Sequence, residues 1–185
     1  MFSLRRPSDD EMRHVLAHEG QFGHLSYDEV GATRGELPSG YRHLRQGLDL
    51  GADGDGRFER AVAALRRWEP QVGSGFRVIP TTVADGVTLV LVVRTGPLYV
   101  TAVGRVVHVD DEPDSFRFAY GTLESHPEQG EEAFAVVRAN GRVRFEIVAF
   151  SRPRHWLARL GLPITRILQT RATRSYLSAM QRATT

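Results

Sequence analysis

The sequence contains no cysteine and no lysine. Its 185 residues include 24 basic and 22 acidic side chains, and every basic one is an arginine. Without cysteine, a disulfide framework, a thiolate-ligated zinc site and an iron–sulfur cluster are excluded. Neither a thiol nor a lysine amine is available as a covalent nucleophile. Histidine, glutamate and tyrosine are therefore the main candidates for chemistry.

Long apolar runs are also lacking. The longest extends from Val87 to Val93, far short of the roughly 20 residues that a membrane-spanning helix needs. The first eleven residues include two arginines but no apolar segment follows them, so they do not resemble a secretory signal. With 41% hydrophobic and 25% charged residues, the composition is ordinary for a globular domain. We therefore expect a cytoplasmic protein without a transmembrane segment.

Acidic residues are missing from the C-terminal part of the chain. None follows Glu146, whereas the stretch 151–185 contains seven arginines: Arg152, Arg154, Arg159, Arg166, Arg171, Arg174 and Arg182. One interpretation is a helix that contacts nucleic acid or, peripherally, an anionic membrane. The first 150 residues carry a net charge of −5, however. We favour a packed helix with an arginine-rich outer face, and find no strong evidence for a nucleic-acid partner.

Capping and spacing predict the helices. Ser8 and Glu11 form a capping box that starts a short helix over residues 9–19, with Gly20 as its end. A second helix has an apolar face that begins at Phe58, and Pro70 is expected to end it. Helical spacing returns over residues 153–180, with a kink or break at residues 161–163.

Alternation of apolar and polar residues predicts the strands. One strand precedes the second helix, at residues 41–50, after a glycine-rich loop over residues 20–40. Six more follow that helix in succession, at residues 76–82, 87–94, 98–109, 115–123, 131–139 and 142–151. The simplest arrangement is an antiparallel sheet that buries the apolar stripe of the C-terminal helix.

This order of elements resembles the START-like helix-grip (SRPBCC) architecture. Three parts of the sequence are more closely similar to a bacterial and plant family, that of the domain of unknown function nineteen-ninety: Leu25–Arg34 with Leu37–His43, Ala119–Leu123 with His126–Phe134, and Phe150–Pro153 with Arg171–Leu177. The resemblance implies an α+β fold, with a curved antiparallel sheet of about seven strands around a long C-terminal helix and an apolar cavity between them. Residues 1–24 would form a helical appendage and residues 25–185 a single START-like domain. The resemblance implies no activity.

The Asn140-Gly141 turn predicts the register of the last hairpin, since this pair favours a two-residue type I′ turn. The register places Phe134 and Glu132 on the same, inward face. The preceding strand places Phe118 and Tyr120 on that face too, and by the same alternation His108 is expected to point inward. Tyr120 and Glu132 would then meet at one end of an apolar wall.

Two interpretations of Glu132 remain open. A glutamate at the start of a strand usually lies at the rim of the sheet, in contact with water or a loop. If it is buried, loss of hydration raises its pKa and allows it to act as an acid or base near neutral pH, with Tyr120 orienting it or bonding a ligand. The apolar wall formed by Phe118 and Phe134 and the polar His108 would then contact the same ligand.

Other polar residues lie in the family-like stretches. His126 and Glu128 invite comparison with zinc deaminases, but those enzymes also need a pair of cysteines. A site with His108 or His43 as a further ligand is geometrically allowed, yet a turn capped by its own side chains is the simpler interpretation, and we predict no metal and no cofactor. Arg34, Tyr41 and His43 either line the mouth of the cavity or hold an ordered loop.

Three functions follow from these patterns. The first is binding of an apolar small molecule in an internal cavity, which should measure at least about 300 Å³. The second is a cyclase- or hydrolase-like enzyme that uses the same cavity, with Glu132 or His126 as the acid or base. The third is an interaction through the arginine-rich helix.

Overall fold

The computed structural model describes residues 1–154 and 162–185, with the backbone alone over residues 162–172. The helices are α1 Asp9–Phe22, α2 Arg57–Arg66, α3 Glu69–Val72 and α4 Leu162–Thr184, with a short 3₁₀ turn at Ala32–Arg34. The strands are β1 Phe2–Ser3, β2 Arg42–Ala52, β3 Arg77–Ile79, β4 Thr88–Thr95, β5 Leu98–Glu112, β6 Ser115–Thr122, β7 Glu128–Ala139 and β8 Arg142–Pro153.

All the strands belong to one antiparallel sheet in the order β2-β8-β7-β6-β5-β4-β3, with β1 paired to β5. Asn140 and Gly141 both have positive φ, of 51° and 69°, as a type I′ turn requires. The β7–β8 pairing therefore has the predicted register, with Phe134 opposite Ile147 and Glu132 opposite Ala149. The predicted α+β fold is therefore confirmed, with seven consecutive strands in one antiparallel sheet and a C-terminal helix.

The inner face of the sheet carries the main core. Its fully buried aromatic residues pack against α2, α3 and α4, because alternate positions of each strand point toward these helices. Tyr176 and Met180 bring α4 into the same core. The large and fully buried side chains of this core include Trp68, Phe116, Phe118, Phe134, Phe145 and Ile147. The terminal helix thus packs on the core side of one sheet, as in a helix-grip fold.

The outer face is covered in two places. Helix α1 buries Met12 against Val90, Val92 and Val103. Near the other edge, the loop over residues 23–41 packs Tyr27 and Leu37 against Phe150 of β8. The glycine-rich loop is thus an ordered cover, which matters for the polar residues beneath it.

Several boundaries differ from the predictions. Helix α1 has the predicted Ser8 capping box but continues through Gly20 to Phe22. Helix α2 ends at Arg66, before Pro70, because Trp68 adopts a left-handed conformation at φ 59° and Pro70 then lies in the first turn of α3. Proline fits there, since a first-turn N–H has no partner within the helix.

Some predictions fall outside the described part of the chain. These are the kink at residues 161–163, the helical turn before it and the apolar stripe formed by Trp156, Leu157, Leu160, Ile164, Ile167 and Leu168. No helix within the described residues is long and apolar enough to cross a membrane.

Candidate functional site

Tyr120 and Glu132 lie opposite each other on the inner face, across the β6–β7 pairing. The Tyr120 hydroxyl donates a hydrogen bond of 2.6 Å to Oε2 of Glu132. Tyr120 is 7% exposed and Glu132 is partly buried, so the bond lies at the edge of the apolar core. The two residues that the strand alternation placed together are therefore in direct contact.

The surroundings change the acidity of both groups. Burial raises the pKa of Glu132 to about 7, although the Tyr120 hydrogen bond works in the opposite direction. The nearby Glu128 carboxylate raises that pKa further, since a second negative charge disfavours ionisation. Burial and the Glu132 charge raise the pKa of Tyr120 well above its ordinary value. At neutral pH the phenol is a hydrogen-bond donor and the carboxyl group can exchange a proton.

Two further polar side chains belong to this region. Gln71 of α3 is fully buried, and neither atom of its amide makes a hydrogen bond of normal geometry among the described residues. Its amide lies close enough to Tyr120 for a weak hydrogen-bond interaction, which acts to lower the pKa of that phenol. Tyr176 of α4 lies near enough for the Glu132 charge to raise its pKa, although burial is the larger cause. We call Gln71, Tyr120, Glu132 and Tyr176 the inner polar cluster. Gln71 and Tyr176 were not predicted from the sequence, because only the contact of α3 and α4 with the sheet brings them to this place.

The apolar residues of the candidate site form a packed aromatic layer. Phe118 and Phe134 are both fully buried, and their stacked rings have centroids 5.6 Å apart. Trp68 meets Phe118 edge to face at 4.9 Å. Such pairs add about 0.5 to 1.5 kcal/mol beyond the burial of their area. This layer is both the floor of the inner polar cluster and a large part of the protein core.

Two clefts on the described part of the surface lie away from Tyr120 and Glu132. One of about 390 Å³ lies between the N-terminal residues and α1, near Phe2, Met12 and Thr101. The other, of about 290 Å³, lies between α3 and α4. The cavity predicted beside the inner polar cluster stays a prediction, because the apolar positions expected to close it lie at residues 155–172.

His126 and Glu128 form a turn with local contacts. Nδ1 of His126 accepts a hydrogen bond of 2.9 Å from the Glu128 backbone N–H, which is the self-capped turn predicted as the simpler interpretation. Burial lowers the pKa of His126 to about 4, so the ring is neutral at pH 7. Burial raises the pKa of Glu128, opposed by Arg42, whose guanidinium lies 3.8 Å from its carboxylate. An acid–base role for His126 is not supported, because its Nδ1 is engaged and its conjugate acid is absent near neutrality.

His108 does not point inward, contrary to the prediction. A bulge between Val106 and His108 shifts the β5–β6 register, so that Val106 pairs with Tyr120 but His108 pairs with Ala119. An extra residue in one strand moves every later side chain to the other face. His108 is therefore buried under the loop on the outer face, with Nε2 3.5 Å from the Thr33 hydroxyl.

Glu131 is a buried, hydrogen-bonded carboxylate that was not predicted from the sequence as a candidate site residue. Glu131 lies on the outer face, next to the inward Glu132, and the loop covers it and leaves it 2% exposed. Its carboxylate accepts hydrogen bonds from the Tyr27 hydroxyl at 2.7 Å, from the Gly31 N–H at 2.7 Å, and from both the N–H and the hydroxyl of Thr33. The available signal was the pair Glu131-Glu132, since consecutive strand residues place one carboxylate on each face.

Arg34, Tyr41 and His43 hold the same loop and do not approach the inner polar cluster. Arg34 makes two hydrogen bonds with Asp110, one of them at 3.1 Å from Nε. The Tyr41 hydroxyl donates to Glu29 at 3.0 Å, and Nε2 of His43 lies 2.8 Å from the Pro38 carbonyl oxygen. These contacts fit the ordered-loop interpretation, and a ligand-binding role for the three residues stays a prediction.

Metal-binding residues do not cluster in the described residues, where no three histidine or acidic side chains come together in a way that could hold an ion. His108 lies on the outer face, whereas His126 lies in the turn before β7 and Glu128 is the first residue of β7. The histidine combinations considered from the sequence are thus not assembled.

Comparison with known proteins identifies the family. The model of the Domain of unknown function (DUF1990) matches residues 26–179. The chain belongs to the DUF1990 family. It is 34% identical over 199 residues to a UPF0548 protein of Deinococcus radiodurans, covering 99% of this chain and 98% of the relative. A UPF0548 protein of Dictyostelium discoideum is 31% identical over 197 residues, covering 92% and 90%.

Solved structures share the fold at low sequence identity. A hypothetical protein of Helicobacter pylori has a TM-score of 0.59 at 11% identity, covering 89% of this chain and 98% of its own. The Zhui aromatase/cyclase of Streptomyces sp. R1128 has a TM-score of 0.58 at 14% identity, covering 78% and 93%. A START superfamily protein of Mycobacterium smegmatis has a TM-score of 0.50 at 7% identity, covering 77% and 99%. This DUF1990 chain thus has a START-like fold. The similarity to these solved structures shows the fold and nothing about function.

Proposed function

We propose that this DUF1990 protein binds an apolar small molecule against the inner face of its sheet. The observation that carries the proposal is the Tyr120–Glu132 hydrogen bond at one end of an otherwise apolar aromatic face. Ligand sites in proteins are mostly apolar, with a few convergent polar groups that fix the orientation of the ligand. The inner polar cluster supplies such groups.

Gln71 supports the same proposal. A buried amide without a hydrogen-bond partner costs roughly 1 to 3 kcal/mol relative to one that is bonded. A ligand that carries a hydroxyl or carbonyl group beside Tyr120 would satisfy it. The apolar part of the ligand would lie along the aromatic layer of Phe118 and Phe134, and the remaining wall would come from the C-terminal helix.

The cytoplasmic location of the protein and the division of the chain into an appendage and a domain between residues 24 and 25 stay predictions.

A second candidate is an enzyme of the cyclase or hydrolase kind at the same place. The pKa of about 7 for Glu132 favours it, because a carboxyl group that titrates near neutrality is suited to both giving and taking a proton. The fold similarity to an aromatase/cyclase is consistent with this chemistry at 14% identity, but transfers no residue roles. Binding without turnover is the simpler function.

A thermal-shift screen tests the proposal. Apolar compounds with one hydroxyl, carbonyl or carboxyl group should include some that raise the melting temperature of the wild type, since a ligand of the folded state stabilises it. Glu132→Gln and Tyr120→Phe should weaken the shift, whereas Glu146→Gln, a change at a half-buried position on the outer face of β8, should leave it intact. Equal shifts in all four proteins would place the ligand elsewhere. If Glu132→Gln keeps binding but loses turnover of a hit, the enzyme candidate is favoured.

A further inference from the structure

The cleft between α3 and α4 is separate from the inner polar cluster. It is lined by Gly73 at the end of α3 and by four residues of α4, and has a volume of about 290 Å³. The four helical residues are Arg174, Ser175, Ser178 and Arg182. Arg174, Ser178 and Arg182 are spaced four apart, so they lie in a row along one face of the helix.

The polar groups in this cleft have few partners. No carboxylate lies within 4 Å of Arg174 or Arg182 among the described residues, whereas Arg154 of the same arginine-rich stretch lies 3.8 Å from Glu124. Arg182 makes one long hydrogen bond, of 3.4 Å from Nη2 to the Gly73 carbonyl oxygen. The hydroxyls of Ser175 and Ser178 make no hydrogen bond within the described part of the chain. Two guanidinium groups and two hydroxyls are therefore available to a ligand.

Close packing fixes the walls of the cleft. A side-chain Cβ at Gly73 would lie 2.7 Å from the Cβ of Ala179, closer than two carbon atoms can approach. Only glycine lets the end of α3 come this near to α4. The backbone of Gly73 and the row on α4 are consequently held at a set separation.

The charge around the cleft is positive. None of the lining residues is acidic, and no acidic residue follows Glu146 in the chain. One acid lies close by: Oε1 of Glu69 would be 3.1 Å from a Cβ at Gly73. Its carboxylate is therefore beside the cleft, where it would oppose an anion, and this gives the charge argument a test of its own.

We propose that this cleft binds the phosphoryl group of a phosphate monoester. A phosphate presents three acceptor oxygens and up to two negative charges, which match two guanidinium groups that can each donate in pairs and two serine hydroxyls. The cleft is larger than one phosphate, so part of the attached organic group also fits. A soluble phosphate monoester and the headgroup of phosphatidic acid share this chemistry. The inference is independent of the proposed ligand on the inner face.

Calorimetric titration of the full chain with glycerol 3-phosphate, and separately with inorganic phosphate, tests the site. We expect saturable binding that Arg174→Gln and Arg182→Gln each weaken by about tenfold, as loss of a charge-assisted hydrogen bond predicts. Arg94→Gln is the matched control: Arg94 is also exposed and donates to a glycine carbonyl, that of Gly96 at 3.1 Å, but it lies in β4. The affinity of the Arg94→Gln variant for glycerol 3-phosphate should differ from that of the wild type by less than about twofold. Glu69→Gln should strengthen binding.

Flotation with phosphatidic acid vesicles, compared with phosphatidylcholine vesicles, distinguishes the source of the phosphoryl group. Binding of glycerol 3-phosphate without binding to the vesicles identifies a soluble ligand, and arginine-dependent binding to phosphatidic acid vesicles identifies a lipid headgroup. Either result supports the site. No binding in any arm overturns the proposal, as does an equal loss of affinity in Arg94→Gln and Arg174→Gln, because charge alone would then explain it.

Discussion

Tyr120 and Glu132 face each other directly across β6 and β7, with 2.6 Å between the phenol oxygen and Oε2 of the carboxylate. Both belong to the inner face, whereas the neighbouring Glu131 belongs to the outer face and bonds a different tyrosine, Tyr27. Two adjacent glutamates thus serve opposite sides of one sheet. The inner one can exchange a proton and contact a ligand, and the outer one holds a loop in place.

Replacing Glu132 with glutamine should change how stability depends on pH. The pKa of Glu132 is raised from 4.5 to about 7 by burial, so the folded protein retains a proton that the unfolded chain has lost. This contribution to stability is complete below pH 4.5 and is lost as the pH rises through 7. In urea unfolding, the free energy of unfolding of Glu132→Gln should therefore rise relative to that of the wild type as the pH rises, by at most about 3 kcal/mol.

The comparison must be made as a difference between proteins at each pH. The pKa of His126 is lowered to about 4, which makes stability rise with pH over the range below its ordinary 6.5 and opposes the Glu132 effect in the wild type. Both proteins contain His126, so its contribution cancels. Glu146→Gln should track the wild type, and a flat difference for Glu132→Gln would contradict the burial of its carboxyl group.

The predicted register and its failures have distinct physical origins. The Asn140-Gly141 turn sets the pairing of β7 and β8, and alternation from it correctly brought Glu132 to the face that also holds Tyr120. The inward orientation predicted for His108 was wrong, because the alternation of apolar residues does not reveal the bulge after Val106. The burial of Glu131 was not predicted, because it depends on a loop that has no periodic pattern. That loop lies about a hundred residues away in sequence. Local pattern predicts strands and faces, and only tertiary contact reveals what covers them.

Replacing Glu131 with glutamine should destabilise the protein, even though the shape is conserved. The amide nitrogen would have to occupy one carboxylate position and face backbone N–H donors, from Gly31 or Thr33, that cannot reorient. We expect a loss of about 2 to 4 kcal/mol in the free energy of unfolding and faster proteolysis within residues 23–41. Glu146→Gln again provides the control on the outer face of β8. A loss below about 1 kcal/mol with an unchanged cleavage pattern would show that Glu131 does not hold the loop.

Two glycines should respond to alanine in opposite directions. Gly20 lies within α1 and has nothing within 4 Å of a Cβ, so Gly20→Ala should stabilise the protein by about 0.5 to 1 kcal/mol. A Cβ at Gly121 would collide with the Tyr27 hydroxyl and displace the loop from Glu131. Gly121→Ala should therefore destabilise by about 1 to 3 kcal/mol. Thermal unfolding of the two variants measures both, and the same sign for both would contradict the loop geometry.

Mass spectrometry of the protein purified under native conditions tests the central claim most directly. Organic extraction of the wild type should release an apolar compound that carries a hydroxyl, carbonyl or carboxyl group, in a fixed ratio to the protein. Glu132→Gln and Tyr120→Phe should retain much less of it, whereas Glu146→Gln should retain as much as the wild type. If the extract contains no such compound, or if all four proteins retain it equally, then the inner polar cluster is not the binding site.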